Sequence, residues 1–218
     1  MVTLKKPRGP RARRLAPPTI LDAAEVVFSR LGIEGATARA IALQAGCDPA
    51  LIYYHYANKE ALFLALLDRR LPPVAAALAR LADAADRRST KLRIWDALEA
   101  FREHLGDDSG FRSLFRGQLI QGSEVIKARM AQHLRPVLGA VQAILQQGVE
   151  RGELRPDLDP VTSAFFIGRM HMEILDLVPS MGQHLTGLPQ VGSLGLVRRA
   201  WLEFLWRAIA ADPTAAPA

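Results

Sequence analysis

The sequence predicts an all-α protein, and three observations carry that prediction. Apolar residues recur at three- and four-residue spacing in almost every segment. No stretch alternates with period two for long enough to be a strand. Segment starts carry cap residues, among them Thr37, Asp48, Asn58, Ser123 and Asp159, with prolines at 49 and 160 in the first helical position, where a missing N–H costs nothing.

The elements follow in order. Ile20, Ala23, Ala24, Val27, Phe28 and Leu31 form one stripe, stopped by Gly32. Thr37 caps a short helix through Ile41 and Ala42 to about Ala45, stopped by Gly46. Asp48 and Pro49 open another short helix bearing Leu51, Ile52 and Tyr53, and Asn58 starts a helix with Leu62, Phe63, Leu66 and Leu67 on its buried side. Pro72-Pro73 interrupts or kinks that helix, which resumes from Val74 to about Ala85. Ser89 or Thr90 caps a helix to Leu105, residues 106–110 read as a loop, and a short helix covers Phe111–Ile120. From Ser123 a seam of Ile126, Met130, His133, Val137, Val141, Ile144 and Gly148 predicts a long helix kinked at Pro136. Asp159-Pro160 opens a helix to about Val178, 179–193 reads as a mobile loop, and a last helix runs from Ser193 to about Ala211. The spans sort into a basic arm (1–18), a compact set of short helices (19–70), a long-helix bundle (71–211) and a frayed tail (212–218).

Composition narrows the function classes. At 218 residues the chain buries a core without a disulfide or metal staple, and its single cysteine, Cys47, excludes an internal disulfide and any multi-cysteine metal site. No metal or cofactor is expected. The most apolar run, 161–178, is broken by Arg169, His171, Glu173 and Asp176, so the expectation is a soluble, cytoplasmic protein. Residues 1–14 hold Lys5, Lys6, Arg8, Arg11, Arg13 and Arg14 and no acid. That equals the net +6 of the whole chain, leaving 22 bases against 22 acids in the remainder. A short basic arm takes polyanions, nucleic acid first and an acidic membrane surface second.

The sharp motif is a pair of short helices hinged at Ala45-Gly46-Cys47, the requirement of a helix-turn-helix, whose short second helix presents its N-terminal end to a groove. Around it stand Thr37, Arg39, Tyr53, Tyr54, His55, Tyr56 and Lys59, whose hydroxyl, imidazole and cationic groups suit backbone phosphates. Residues 20–67, ILDAAEVVFSRLGIEGATARAIALQAGCDPALIYYHYANKEALFLALL, resemble the DNA-binding domain of the TetR (tetracycline-repressor-like) family. The carriers are ILDAA…F, Gly32, Thr-x-Arg before Ile41-Ala42, Ala45-Gly46, and Ile-Tyr-x-His-aromatic-x-x-Lys-Glu-Ala-Leu.

The resemblance implies phosphate or base contacts at Thr37 and Arg39, phosphate contacts at Tyr53, His55 and Lys59, and positions facing base edges at Asp48, Pro49, Ala50 and Leu51. Those four depart from the common Ser, Lys or Arg, Gly and Thr, so readout should lean on Arg39, Tyr54, thymine methyls and DNA shape. Ala40 replaces a frequent acid and leaves Thr37 without a capping-box partner. Arg13 and Arg14 of the arm complete the candidate DNA contacts.

For residues 75–211 the resemblance implies only architecture: a helical bundle with an effector pocket and a dimer face. Pocket candidates are Phe111, Phe115, His133, Phe166, Met170 and His171, with Phe165 and Met172 as further adaptable walls. Their alternative reading is ordinary core. The dimer-face candidates are Trp201, Leu205 and Ile209 of the last helix with a face of the helix before it, against the alternative of intramolecular core. Arg169, Glu173 and Asp176 read as a surface or interface ion cluster, and Pro72-Pro73 as a hinge.

The expected partners are thus double-stranded DNA, a small apolar or amphipathic effector and a second copy of the chain. No phosphate loop, Gly-x-Ser-x-Gly, His-Glu-x-x-His or base-flanked carboxylate pair supports an enzyme. The competing reading is a basic-armed helical protein that binds nucleic acid without sequence preference or docks on an acidic membrane.

Overall fold

The structure is a computed structural model and describes residues 17–105, 109–181, 184 and 193–212. Among them run ten α-helices: α1 Pro17–Gly35, α2 Ala38–Ala45, α3 Pro49–His55, α4 Lys59–Arg70, α5 Pro72–Leu81, α6 Thr90–Leu105, α7 Ser109–Gln121, α8 Glu124–Glu150, α9 Pro160–Met181 and α10 Leu194–Ile209. The chain divides into two compact units, the first ending at Leu66 and the second starting at Leu67. The basic arm through residue 16, the loop residues 182–183 and 185–192, and the tail from 213 lie outside the described residues.

In the first unit, Ile20, Ala24, Val27 and Phe28 of α1 are fully buried, and the Phe28 ring meets Phe63 of α4 edge-on at 6.1 Å. Gly32 breaks the regular turn at φ 70°, ψ 173°, and one more helical turn then carries the chain to Gly35 and buries Ile33. α2 starts where Thr37 Oγ1 accepts the Ala40 N–H at 3.1 Å, a cap made without the acidic partner. Gly46 in the left-handed region (φ 68°, ψ 37°) ends α2, and the Cys47 N–H returns to the Ala42 carbonyl at 2.9 Å. Asp48 Oδ1 then accepts the Ala50 N–H at 2.8 Å and opens α3 with Pro49 in place. Asn58 Oδ1 repeats the device for α4 with the Ala61 N–H at 2.7 Å.

The second unit is built on α8, which at 27 residues is about 40 Å long and packs against α5, α6 and α9. It runs as one helix across Pro136. Pro136 and Gln132, whose carbonyl loses its partner there, are both exposed to water. Pro72-Pro73 starts a separate helix, α5, which stops at Leu81 instead of about Ala85. The cause is the buried Arg93 guanidinium. It donates to the Leu81 carbonyl at 2.9 and 2.8 Å, to the Asp83 carbonyl at 3.3 Å and to Gln147 Oε1 at 2.7 Å. Carbonyls held by a side chain leave no acceptor for another helical turn.

Three more boundaries move. α7 begins at Ser109, two residues before the expected start, and residues 106–108 of the expected loop lie outside the described ones. Burial of Phe111 and Arg112 outweighs the cost of Gly110 in the first turn. α9 continues through Pro179 to Met181. α10 ends at Ile209 because the chain then pairs with the turn after α8: Arg155 N–H donates to the Ile209 carbonyl at 2.9 Å and Ala211 N–H to the Glu153 carbonyl at 3.0 Å. That turn packs closely because residue 148 is glycine, where a Cβ would sit 2.8 Å from Leu154 and Thr90 side-chain carbons.

Candidate nucleic-acid interface and effector cavity

The first unit presents a polar and aromatic surface. Only Ile52 of α3 is buried, while Ala50, Tyr53 and Tyr54 face water, Tyr54 at 81 % exposure. Tyr54 and His55 meet edge-on at 5.0 Å. Arg39 is exposed on the first turn of α2, beside the exposed Thr37, whose O–H remains free to donate while its oxygen caps the helix. Leu51 and Pro49 are half-buried, and the Asp48 carboxylate is engaged by its own helix terminus. Lys59 Nζ donates to the Glu34 carbonyl at 3.0 Å, which ties the end of α1 to the start of α4 and leaves two of its N–H groups for other acceptors. Arg13 and Arg14 lie outside the described residues.

The charge of this unit is the unexpected part. From residue 17 to 66 it carries Arg30, Arg39 and Lys59 against Asp22, Glu25, Glu34, Asp48 and Glu60, a net charge of −2. The helical body offers hydrogen-bond donors but no net attraction for a polyanion. Long-range attraction from this end of the chain falls to the +6 arm.

The second unit encloses two adjoining apolar cavities. The inner one, about 40 Å³, is walled by Leu78, Ile94, Val137, Ile144 and Ile167 and reached by His171. The outer one, about 120 Å³, is walled by Phe115, Leu119, Phe165 and Met172, with Arg116 and Arg169 among its lining residues. Phe101, Val137, Leu138 and Gly168 belong to both. His171 is 1 % exposed, and among the described residues neither ring nitrogen has a hydrogen-bond partner. Burial drives its pKa down to about 4, helped by Arg112 and Arg102. The Leu98 backbone is the one group pulling the other way, and it lies outside hydrogen-bond geometry. The imidazole is therefore neutral at physiological pH, with one donor and one acceptor idle.

Of the six pocket candidates, Phe115 and His171 line this space and four do not. Phe111 is fully buried under the Arg70 guanidinium, which sits 4.9 Å from its ring centroid. His133 pairs with Asp68 at 2.7 Å beside Arg129, and its place on the apolar seam proves to be the edge of that seam. Phe166 and Met170 project outward from α9. The ion cluster also moves inward. Asp176 is 6 % exposed and holds Arg112, itself 2 % exposed, at 2.9 Å and Arg116 at 3.3 Å, while Glu173 takes Arg169 at 2.8 Å. On α10, Leu205 and Ile209 are buried within the chain and Trp201 is half-buried, stacked on Phe204. The free stripe is rotated by one residue: Leu196, Ala200, Phe204 and Ala208, all exposed.

Residues 20–66 match the sequence model described as "Bacterial regulatory proteins, tetR family". The HTH-type transcriptional regulator RutR of Escherichia coli is 28 % identical over 180 residues, 82 % of this chain and 81 % of its own length. The HTH-type transcriptional regulator SrpR of Pseudomonas putida is 31 % identical over 144 residues, 66 % of each chain. The chain belongs to the TetR family.

As a TetR-family protein it is a helix-turn-helix transcriptional regulator. The fold agrees over most of the chain. The Bacillus subtilis regulator FadR, solved in complex with stearoyl-CoA, superposes with a TM-score of 0.72 at 20 % identity, covering 87 % of this chain and 97 % of that one. Sequence reasoning missed Gly168, Phe101 and Leu138 as cavity residues. A glycine inside a helical run reads as a mere weak former, and nothing in periodicity says which side its missing side chain faces.

Proposed function

We propose that this TetR-family regulator is a ligand-responsive repressor that binds a pseudo-palindromic operator as a homodimer. The observation that carries the reading is the pairing of a helix-turn-helix surface with an apolar cavity in the same chain. On the first, Thr37, Arg39, Tyr53, Tyr54, His55 and Lys59 contact phosphates and groove edges, joined by Arg13 and Arg14 of the arm. Asp48, Pro49, Ala50 and Leu51 offer few donors, so α3 reads its site through apolar contacts with thymine methyls, Tyr54, and DNA shape.

Dimerisation is supported by the apolar residues left facing water on two neighbouring helices. Phe166, Met170 and Leu177 of α9 and Leu196 and Phe204 of α10 are exposed at 45 % or more, a density that marks an interaction surface. A two-fold pairing through them gives two readers and hence an inverted-repeat site. FadR was solved with stearoyl-CoA bound, and the cavity here supports an effector of apolar or amphipathic character.

Selection of bound sequences from a random duplex library at about 150 mM salt tests this reading. An enriched inverted repeat is the expected result. Salt-sensitive binding with no enriched sequence would overturn it and leave the arm as a non-specific polyanion binder. Preference for anionic vesicles over DNA would point to the membrane instead.

A further inference from the structure

Of the four residues that border both cavities, Gly168 is the one without a side chain. It lies on α9 and lines both, and a Cβ built there would meet no heavy atom within 4 Å. A side chain at position 168 has room to enter the space where the two cavities meet, and a bulky one would narrow it. The outer chamber at about 120 Å³ approaches the ~150 Å³ apolar cavity known to accept a benzene ring. The inner one at about 40 Å³ suits only a small group. Its inner end holds an imidazole that is buried, unpartnered and aimed into apolar space.

We propose that the two cavities form one effector slot, and that it takes an uncharged molecule with a slender apolar body and one hydroxyl- or carbonyl-type tip that passes Gly168 and hydrogen-bonds His171. The proposal rests on the reading of the bundle as the effector-binding part and names the chemistry of that effector. A buried polar group without a partner is destabilising, so a ligand that supplies the partner gains over a hydrocarbon of the same shape. An anionic tip finds no free counter-ion at the inner end: the cations that act on His171, Arg112 and Arg102, are already paired with Asp176 and Glu99, and a neutral imidazole offers only a hydrogen bond. At the outer end Arg116 and Arg169 are already engaged, Arg169 by Glu173 at 2.8 Å and Arg116 by Asp176 at 3.3 Å. They would have to surrender those carboxylates to take a ligand's anion.

Three probes of one shape, a ring for the outer chamber and a short chain for the inner one, test the slot on the full chain: 3-phenylpropan-1-ol, butylbenzene and 4-phenylbutanoate, titrated calorimetrically. The alcohol is expected to bind about tenfold tighter than the hydrocarbon, and the carboxylate weakest. In His171→Leu the alcohol's advantage disappears while the hydrocarbon still binds. In Gly168→Leu both bind at least tenfold more weakly. Imidazole ¹⁵N resonances of the wild-type chain give a readout that needs no variant, since the alcohol should shift one His171 nitrogen and the hydrocarbon should not. Equal binding of alcohol and hydrocarbon would overturn the proposal. So would tightest binding of the carboxylate with no response to His171→Leu, and so would binding of none of the three. Operator affinity, followed in the same titrations, separates the two readings. An alcohol that binds through His171 without changing it leaves the slot standing and removes the effector role. A carboxylate that releases DNA does the reverse.

Discussion

The two units meet water with opposite surfaces. On the first unit the exposed groups of α2 and α3 are hydroxyls, a guanidinium and phenols, at Thr37, Arg39, Tyr53 and Tyr54. On the second they include whole apolar side chains, at Phe166, Met170, Leu177, Leu196 and Phe204. Exposure by itself therefore says little about function; its chemistry names the partner. Hydrogen-bonding tips on a body of net −2 charge fit a polyanion already drawn in by the arm, whereas a run of phenylalanine and leucine fits a second apolar face. The units also differ in what holds them together. The first combines caps close in sequence, such as Thr37 to Ala40, Asp48 to Ala50 and Asn58 to Ala61, with ties of middle range, Lys59 to Glu34 and Phe28 to Phe63. The second depends on Arg112 to Asp176, Arg93 to Gln147 and Gln147 to Ala82, all more than fifty residues apart.

The largest effect should come from cutting one of those distant ties. Asp176→Ala leaves the buried Arg112 guanidinium without its carboxylate, and breaking a pair of this kind costs about 3–5 kcal/mol. Urea unfolding should show that loss, whereas Arg112→Met combined with Asp176→Leu should recover most of it. If Asp176→Ala shifts the midpoint no more than an exposed substitution does, the buried pair is not what ties α7 to α9.

The same contrast explains what could be read in advance. Caps, the Gly46 turn and the Thr-x-Arg…Tyr-x-His…Lys spacing are local, so the first unit was legible almost residue by residue. In the second, periodicity placed the helices but could not phase them. On α10, Val197, Trp201, Leu205 and Ile209 and, one residue earlier, Leu196, Ala200, Phe204 and Ala208 are both largely apolar at helical spacing. Contacts with the rest of the bundle decide which is buried. His133 and His171 were indistinguishable as histidines on apolar seams. Asp68, 65 residues from His133 in sequence, takes the first, and no hydrogen-bonding group among the described residues takes the second.

Removing residues 2–14 should separate attraction from recognition. The deleted segment carries all six of the chain's excess positive charges, so the slope of log K against log salt should flatten by about five per protomer if every charge neutralises a phosphate. Affinity near 150 mM salt should fall on the order of a hundredfold or more, while urea stability and probe binding in the slot stay unchanged. A slope that moves by less than about one would show that the helical body supplies the phosphate contacts despite its net negative charge.

His171 gives the second unit a pH response. Its folded pKa of about 4 lies below the ordinary histidine value of 6.5, so between those values the unfolded chain binds more protons than the folded one. Stability from this group is then at its maximum above pH 6.5 and declines as pH falls toward 4, by about 2 kcal/mol at pH 5. Urea midpoints at pH 7.5 and 5 should converge in His171→Leu relative to wild type. Equal pH dependence in both proteins would mean that the imidazole charges freely in the folded state.

The smallest effect tests how the first unit tolerates an acid at its reading end. Asp48 caps α3 through the Ala50 N–H at 2.8 Å, and Asp48→Asn keeps an equally good cap while deleting the charge. Stability should therefore change little. DNA affinity should rise two- to threefold (about 0.5 kcal/mol, one screened charge near a phosphate row), and the gain should fade as salt increases. Asp48→Ala separates the two roles, because it deletes the same charge but also the cap, at about 1 kcal/mol of stability. If Asp48→Asn weakens binding instead, the native carboxylate is accepting a hydrogen bond from a cytosine amino group in the groove, and Asp48 belongs to base readout as well as to the helix terminus.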